Sequence, residues 1–145
     1  FILGMKKQGK EINTFALDRI QNILLVANEP FRYHKQFDSQ TYFSDIIGVT
    51  RHVADTPTCI TFLADHYHAP YIKTKPIHAS QKIVEESKEG VTFSIDVIPN
   101  FELERELIGF GEGLKVLSPN NFVRRISTKV RLMYEAYHNQ DAPII

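Results

Sequence analysis

The densest group of side chains able to do chemistry is Asp65-His66-Tyr67-His68, with His78 ten residues further on. Two histidines separated by one residue share a face when they lie on a strand, and a third ligand from a neighbouring segment would complete a metal site. Here the pair falls at a strand exit beside Pro70, where strict alternation breaks down, and no H-E-x-x-H segment supplies a general base. The expectation is surface and turn histidines with no metal. Nucleophilic catalysis has less to build on: there is no G-x-S-x-G elbow, and Cys59 sits between apolar residues, where a buried thiol behaves as an inert small hydrophobe. Gly109, Gly111 and Gly113 follow a helix, so they read as a C-cap and turn and cannot present the amides of a helix N-terminus to phosphate. Glu102, Glu104 and Glu106 read as a solvated helix face favoured by the dipole. No catalytic residue and no cofactor are expected.

Positive charge carries more. Lys6, Lys7 and Lys10 ring a hairpin turn, Arg19 ends a strand, and Arg124, Arg125, Lys129 and Arg131 decorate the last helix. Arg125 and Lys129 share one flank of that helix, and Arg124 and Arg131 the other. Solvated helix charge is the commoner explanation for these four. Arg19 lies beside Asp18, between apolar Leu17 and Ile20, where a guanidinium can be oriented by its neighbours and still face a ligand. The alternative is an Arg-Asp pair that locks the hairpin, and the sequence leaves both open.

The chain around these groups has 145 residues, with 17 Lys+Arg against 17 Asp+Glu. Such neutrality argues against a chain whose main task is holding duplex DNA. One cysteine excludes an intrachain disulfide framework and a Cys-based zinc site, which suits a reducing, cytoplasmic setting. No run approaches the roughly 20 apolar residues that span a bilayer, so no membrane role is expected. The length allows one domain or two small ones. The opening Phe1-Ile2-Leu3, with no Met, reads like a fragment that starts inside a strand.

The elements that position these residues follow from periodicity. Phe1–Met5 and Ile12–Leu17 flank a Gly-tipped polar turn, a hairpin signal. Ile23–Val26 reads as a third strand ended by Pro30, Phe31–Ser39 as an irregular connection, and Asp38 or Ser39 as the cap of a short helix through Ile47, stopped by Gly48. Thr50–Pro57 lacks apolar periodicity and reads as a linker. Cys59–Ala64 is then a strand, the segment around Pro70 a short helix, Gln81–Glu85 a strand, and Val91–Ile98 a strand with strict alternation. Asn100 caps a helix with apolar Phe101, Leu103, Leu107 and Ile108, Leu114–Leu117 is a brief strand, and Ser118-Pro119 starts a last helix through its hydroxyl cap and a Pro at the first position. Phe122, Ile126, Val130, Met133, Tyr134 and Tyr137 fall on one face of that helix. The expected class is α+β: a partial β barrel in residues 1–49, then a ferredoxin-like βαββαβ domain in residues 50–145 with an extra C-terminal helix.

Thr14-Phe15-Ala16-Leu17-Asp18-Arg19-Ile20 resembles the T-F-x-L-D-R-I segment of WYL domains, with Phe1-Ile2 at the distance of the Tyr-Leu part of their Trp-Tyr-Leu motif. Pro76-Ile77-His78-Ala79-Ser80-Gln81 and the run Gly111 to Pro119 are similar to the C-terminal extension that follows such domains. The resemblance implies a bacterial-type transcriptional regulator: an Sm- or SH3-like barrel that senses a nucleotide, single-stranded nucleic acid or another small anionic effector, and an extension that helps form a homodimer. Duplex DNA would be met only by a helix-turn-helix upstream of residue 1. Carried over, Phe1 takes the aromatic position of the motif and Arg19 its ligand-facing basic position, with Thr14 and Asp18 in support and Lys6 among the hairpin lysines. Phe1 lacks the hydroxyl of the motif's Tyr, and the Trp is absent. Two other readings compete with this one, a purely structural dimerisation module and a metal enzyme built on His66, His68 and His78.

Overall fold

The computed structural model describes residues 1–5, 12–30, 37–51 and 55–138. It divides into two compact units, Phe1–Ser44 and Asp45–Ile145.

In the first unit β1 (Ile2–Met5) pairs antiparallel with β2 (Ile12–Phe15), in a register running from Ile2↔Phe15 to Met5↔Ile12. The turn between them lies outside the described residues, and so do Lys6, Lys7 and Lys10. A 3-10 turn, Leu17–Arg19, follows, so Arg19 sits beyond the strand and not at its end. Ile23–Val26 is not a strand: it has no ladder partner among the described residues, and Leu25 is 99% exposed. An apolar run needs a partner ladder to become a strand, and none of the described residues offers it one. The helix expected through Ile47 is also replaced, by turns over residues 39–45. Asp38 does cap, but its carboxylate takes the Gln40 N–H and the Thr41 hydroxyl, both at 2.9 Å, closing a local turn that competes with a helical ladder.

The second unit runs β3 (Thr58–Ala64), α1 (Ala69–Thr74), β4 (Lys82–Glu86), β5 (Val91–Val97), α2 (Phe101–Ile108), β6 (Leu114–Ser118) and α3 (Asn120–His138). Its sheet has the order β4-β5-β3-β6, antiparallel throughout. The alternation in β5 does what its period demands: Val91, Phe93, Ile95 and Val97 are buried while Thr92, Ser94 and Asp96 face outward. Ile60 pairs with Ile95 and Phe62 with Phe93, whose rings stack at 5.6 Å between centroids. Burying each such side chain contributes about 1.5–3 kcal/mol. The β4–β5 turn ends at Gly90, with φ +144° and a missing Cβ that would lie 2.1 Å from the Ala64 carbonyl oxygen, so only glycine fits.

Local signals place the helices. The Asp65 carboxylate accepts the Tyr67 and His68 N–H groups at 3.1 and 2.8 Å ahead of α1, which carries Pro70 in its first turn. Asn100 caps α2, its side-chain oxygen taking the Leu103 N–H at 2.9 Å. Ser118 does not cap α3. Its hydroxyl meets that of Thr61 across the ladder at 2.7 Å, and the Pro119 carbonyl accepts the Phe122 and Val123 N–H groups, so Pro119 precedes the helix. Only the first part of the α3 stripe is covered: Phe122 is buried and Ile126 packs on the core, while Tyr134 and Tyr137 are 60% and 86% exposed. Among the described residues no helix is long and apolar enough to cross a membrane.

Candidate functional site

The residues expected to face a ligand lie in the first unit. Register places Ile2 opposite Phe15, so Phe1 and Ala16 stand at one end of the ladder, and the Ala16 carbonyl accepts the Arg19 N–H at 3.2 Å. Phe1, Asp18 and Arg19 therefore share that end. Thr14 pairs with Leu3 one step inside, half-buried, on the strand face opposite to Phe15. Arg19 Nε stands 3.9 Å from Asp18 Oδ2, with the two side chains 83% and 79% exposed. A pair this long and this solvated contributes between about 0 and 1 kcal/mol, too little to lock a hairpin. The guanidinium is open to solvent at the end where Phe1 also lies exposed.

The second unit keeps its polar clusters apart. His66 Nε2 meets the Lys88 carbonyl at 3.0 Å, His68 Nδ1 meets Asp65 Oδ1 at 2.8 Å, and His78 Nδ1 meets the Ser80 hydroxyl at 2.7 Å. Each ring has its own partner, and among the described residues no three His, Cys, Asp or Glu side chains are grouped to hold a metal. Hydrogen bonds from the His68 N–H and then its ring hold the Asp65 carboxyl below its ordinary value.

Two expectations are overturned here. Cys59 is exposed, not buried, because β3 turns Ile60, Phe62 and Ala64 inward and thereby Cys59, Thr61 and Leu63 to the outer face. Desolvation and then Asp96, its ladder partner, raise the thiol pKa against a smaller opposing effect of Lys82. Little thiolate forms near neutrality, so exposure does not make it a nucleophile. Glu104 is 2% exposed, not a solvated charge, and pairs with Arg125 and with Lys129, whose Nζ lies 2.7 Å from Oε2. The basic flank of α3 is thus committed to α2. The spacing Asn100, Leu103, Glu104, Leu107 was the available signal, since it runs along one helical face.

A family model of the WCX domain matches residues 56–134, from just before β3 into the last turns of α3. The chain belongs to the WCX domain family. WCX domains are the C-terminal extension of WYL-type transcriptional regulators, a regulatory family and not an enzyme family. No curated protein matches the chain. Within this WCX domain the Pro76–Gln81 block shapes a loop. The Ser80 hydroxyl accepts the Asp96 N–H at 2.8 Å, and the Gln81 carboxamide bridges the Ile77 N–H and the Ile72 carbonyl, each at 3.0 Å. These groups close the connection from α1 to the β4–β5 hairpin.

Proposed function

We propose that this WCX-family chain is the effector-sensing and dimerisation region of a cytoplasmic, bacterial-type transcriptional regulator. Residues 1–49 are the C-terminal part of an Sm- or SH3-like WYL barrel, and residues 50–145 are a ferredoxin-like extension. The order β3-α1-β4-β5-α2-β6 and the sheet order β4-β5-β3-β6 support the second assignment. The observation that carries the reading is a WCX domain downstream of a hairpin whose following turn leaves Arg19 open to solvent. Arg19 pairs with a small anionic ligand, a nucleotide or single-stranded nucleic acid, aided by Phe1, Thr14, Asp18 and Lys6. The signal passes through a homodimer to a helix-turn-helix upstream of residue 1, which alone meets duplex DNA. The region performs no catalysis and needs no cofactor.

Titration of nucleotides and single-stranded oligonucleotides against the full-length protein and its Arg19→Ala variant tests this. Binding should fall by about tenfold or more in the variant, as loss of a charge-assisted pair implies. Equal binding by both removes Arg19 from the site. The second reading, a structural dimerisation module without a ligand, is favoured by one observation, the uncovered apolar residues Val130, Met133, Tyr134 and Tyr137 on α3. A dimer by light scattering with no binding in either protein would establish it.

A further inference from the structure

The strap Asp45–Arg51 precedes the region matched by the WCX family, yet belongs to the second compact unit. Ile46 is buried and Ile47 packs on the core, and a polar hold is added by two side chains of the α2 N-terminus. Asn100, besides capping the helix, donates from Nδ2 to the Ile47 and Thr50 carbonyls at 2.7 and 3.0 Å. Glu102 Oε1 accepts the Val49 N–H at 3.3 Å, the Thr50 N–H at 3.2 Å and the Thr50 hydroxyl at 2.7 Å. Gly48 makes this approach possible: its φ is +75°, and a Cβ there would lie 2.6 Å from Glu102 Cγ. Ile46 is buried beneath, and the Ile98 N–H reaches the Asp45 carbonyl at 2.7 Å.

Two features make the Glu102 part of this attachment open as a unit. Three donors converge on one carboxylate oxygen, so displacing that oxygen releases all three together. The other oxygen, Oε2, is buried without a hydrogen bond among the described residues, a cost the closed strap bears and an opened strap relieves by hydration. One turn of α2 is also bonded in two directions, since Glu102 holds the strap while Glu104 holds Arg125 and Lys129 of α3. We propose that Asp45–Arg51 is a latch, opening below the threshold of global unfolding, through which a pull on the entering chain reaches α2 and then α3. Its use as a signal relay rests on the sensing function proposed above, whereas the latch itself does not.

Hydrogen exchange of the whole chain tests it, without ligand. In Glu102→Ala the amides of Val49 and Thr50 should exchange about tenfold faster and those of Ile126 to Lys129 roughly threefold faster, with Phe93 and Ile95 in β5 unchanged. Thr50→Val, which removes the shortest of the three bonds and leaves α2 intact, should give the same pattern more weakly. The latch is overturned if the strap amides are unchanged in both variants, or if β5 accelerates equally in both. Faster strap exchange with no change at Lys129 overturns the relay to α3. Because no ligand takes part, a failed nucleotide titration leaves this result standing, and the converse holds.

Discussion

Ile60, Phe62, Phe93 and Ile95 in the unit Asp45–Ile145 have no exposed surface, whereas in Phe1–Ser44 Leu25 is 99% exposed and Ile23 79%. The two units use similar residue types, but one sets them at period 2 on strands with partners and the other leaves them on unpaired chain. A two-stranded hairpin by itself is marginally stable in water. Stability therefore resides in the WCX unit, while the hairpin unit leaves charged and apolar side chains such as Arg19, Ile23 and Leu25 in contact with solvent.

Substitutions should separate the units sharply. Phe93→Ala is expected to cost about 3–5 kcal/mol, while Leu25→Ala stays within about 0.5 kcal/mol, as urea unfolding of both variants would show. Comparable losses would break the contrast. Next in size is Glu104→Ala, which removes the charged acceptor of Arg125 and Lys129 and should cost about 1.5–3 kcal/mol in the same assay. A neutral result would mean that apolar packing, including that of Phe122, Val123 and Ile126, is what holds α3.

The pH dependence sharpens the picture on the side of the second unit. Desolvation on its own would raise the Glu102 carboxyl, but hydrogen bonds from the Thr50 hydroxyl, then from Glu102's own backbone, and from the backbone at Val49 and Thr50, outweigh it and set the pKa below its ordinary value. The unfolded chain therefore takes up this proton at a higher pH than the folded one. The stabilisation is complete above the ordinary glutamate range and disappears as pH falls through the lowered folded value. Glu102→Gln should flatten the acid side of a melting-temperature profile, and an unaltered slope would remove the carboxylate from that role. The smallest effect is expected at Arg19→Ala, within about 0.5 kcal/mol of the parent chain, because its pair with Asp18 is long and solvated. A larger loss would make the pair structural and count against the ligand contact proposed for Arg19.

Much of the second unit was legible because its signals are periodic or stereochemical. The alternation Val91 to Val97, the Asn100 cap and the apolar spacing from Phe122 each fix an element by local rules. Pairing cannot be read in that way. Ile23–Val26 has the composition of a strand and lacks a ladder, and the helix foreseen after Asp38 loses to a side-chain turn. At the level of sites, Cys59 and Glu104 were misplaced for one reason: their exposure depends on which face of the element is covered, and that is set by partners distant in sequence. Ile60↔Ile95 orients β3, and Arg125 and Lys129 come to Glu104 from α3. The strap bonds to Asn100 and Glu102 span some fifty residues and leave no local trace.

The outward turn of β3 also makes this chain convenient to observe. Cys59 is its single cysteine and stands on the uncovered side of the sheet, away from the packed rings of Phe62 and Phe93. A maleimide dye or nitroxide would attach at one position without entering the core. Because desolvation and then the Asp96 carboxylate make the thiol reluctant to ionise, coupling should be slow at neutral pH and quicken under mildly alkaline conditions.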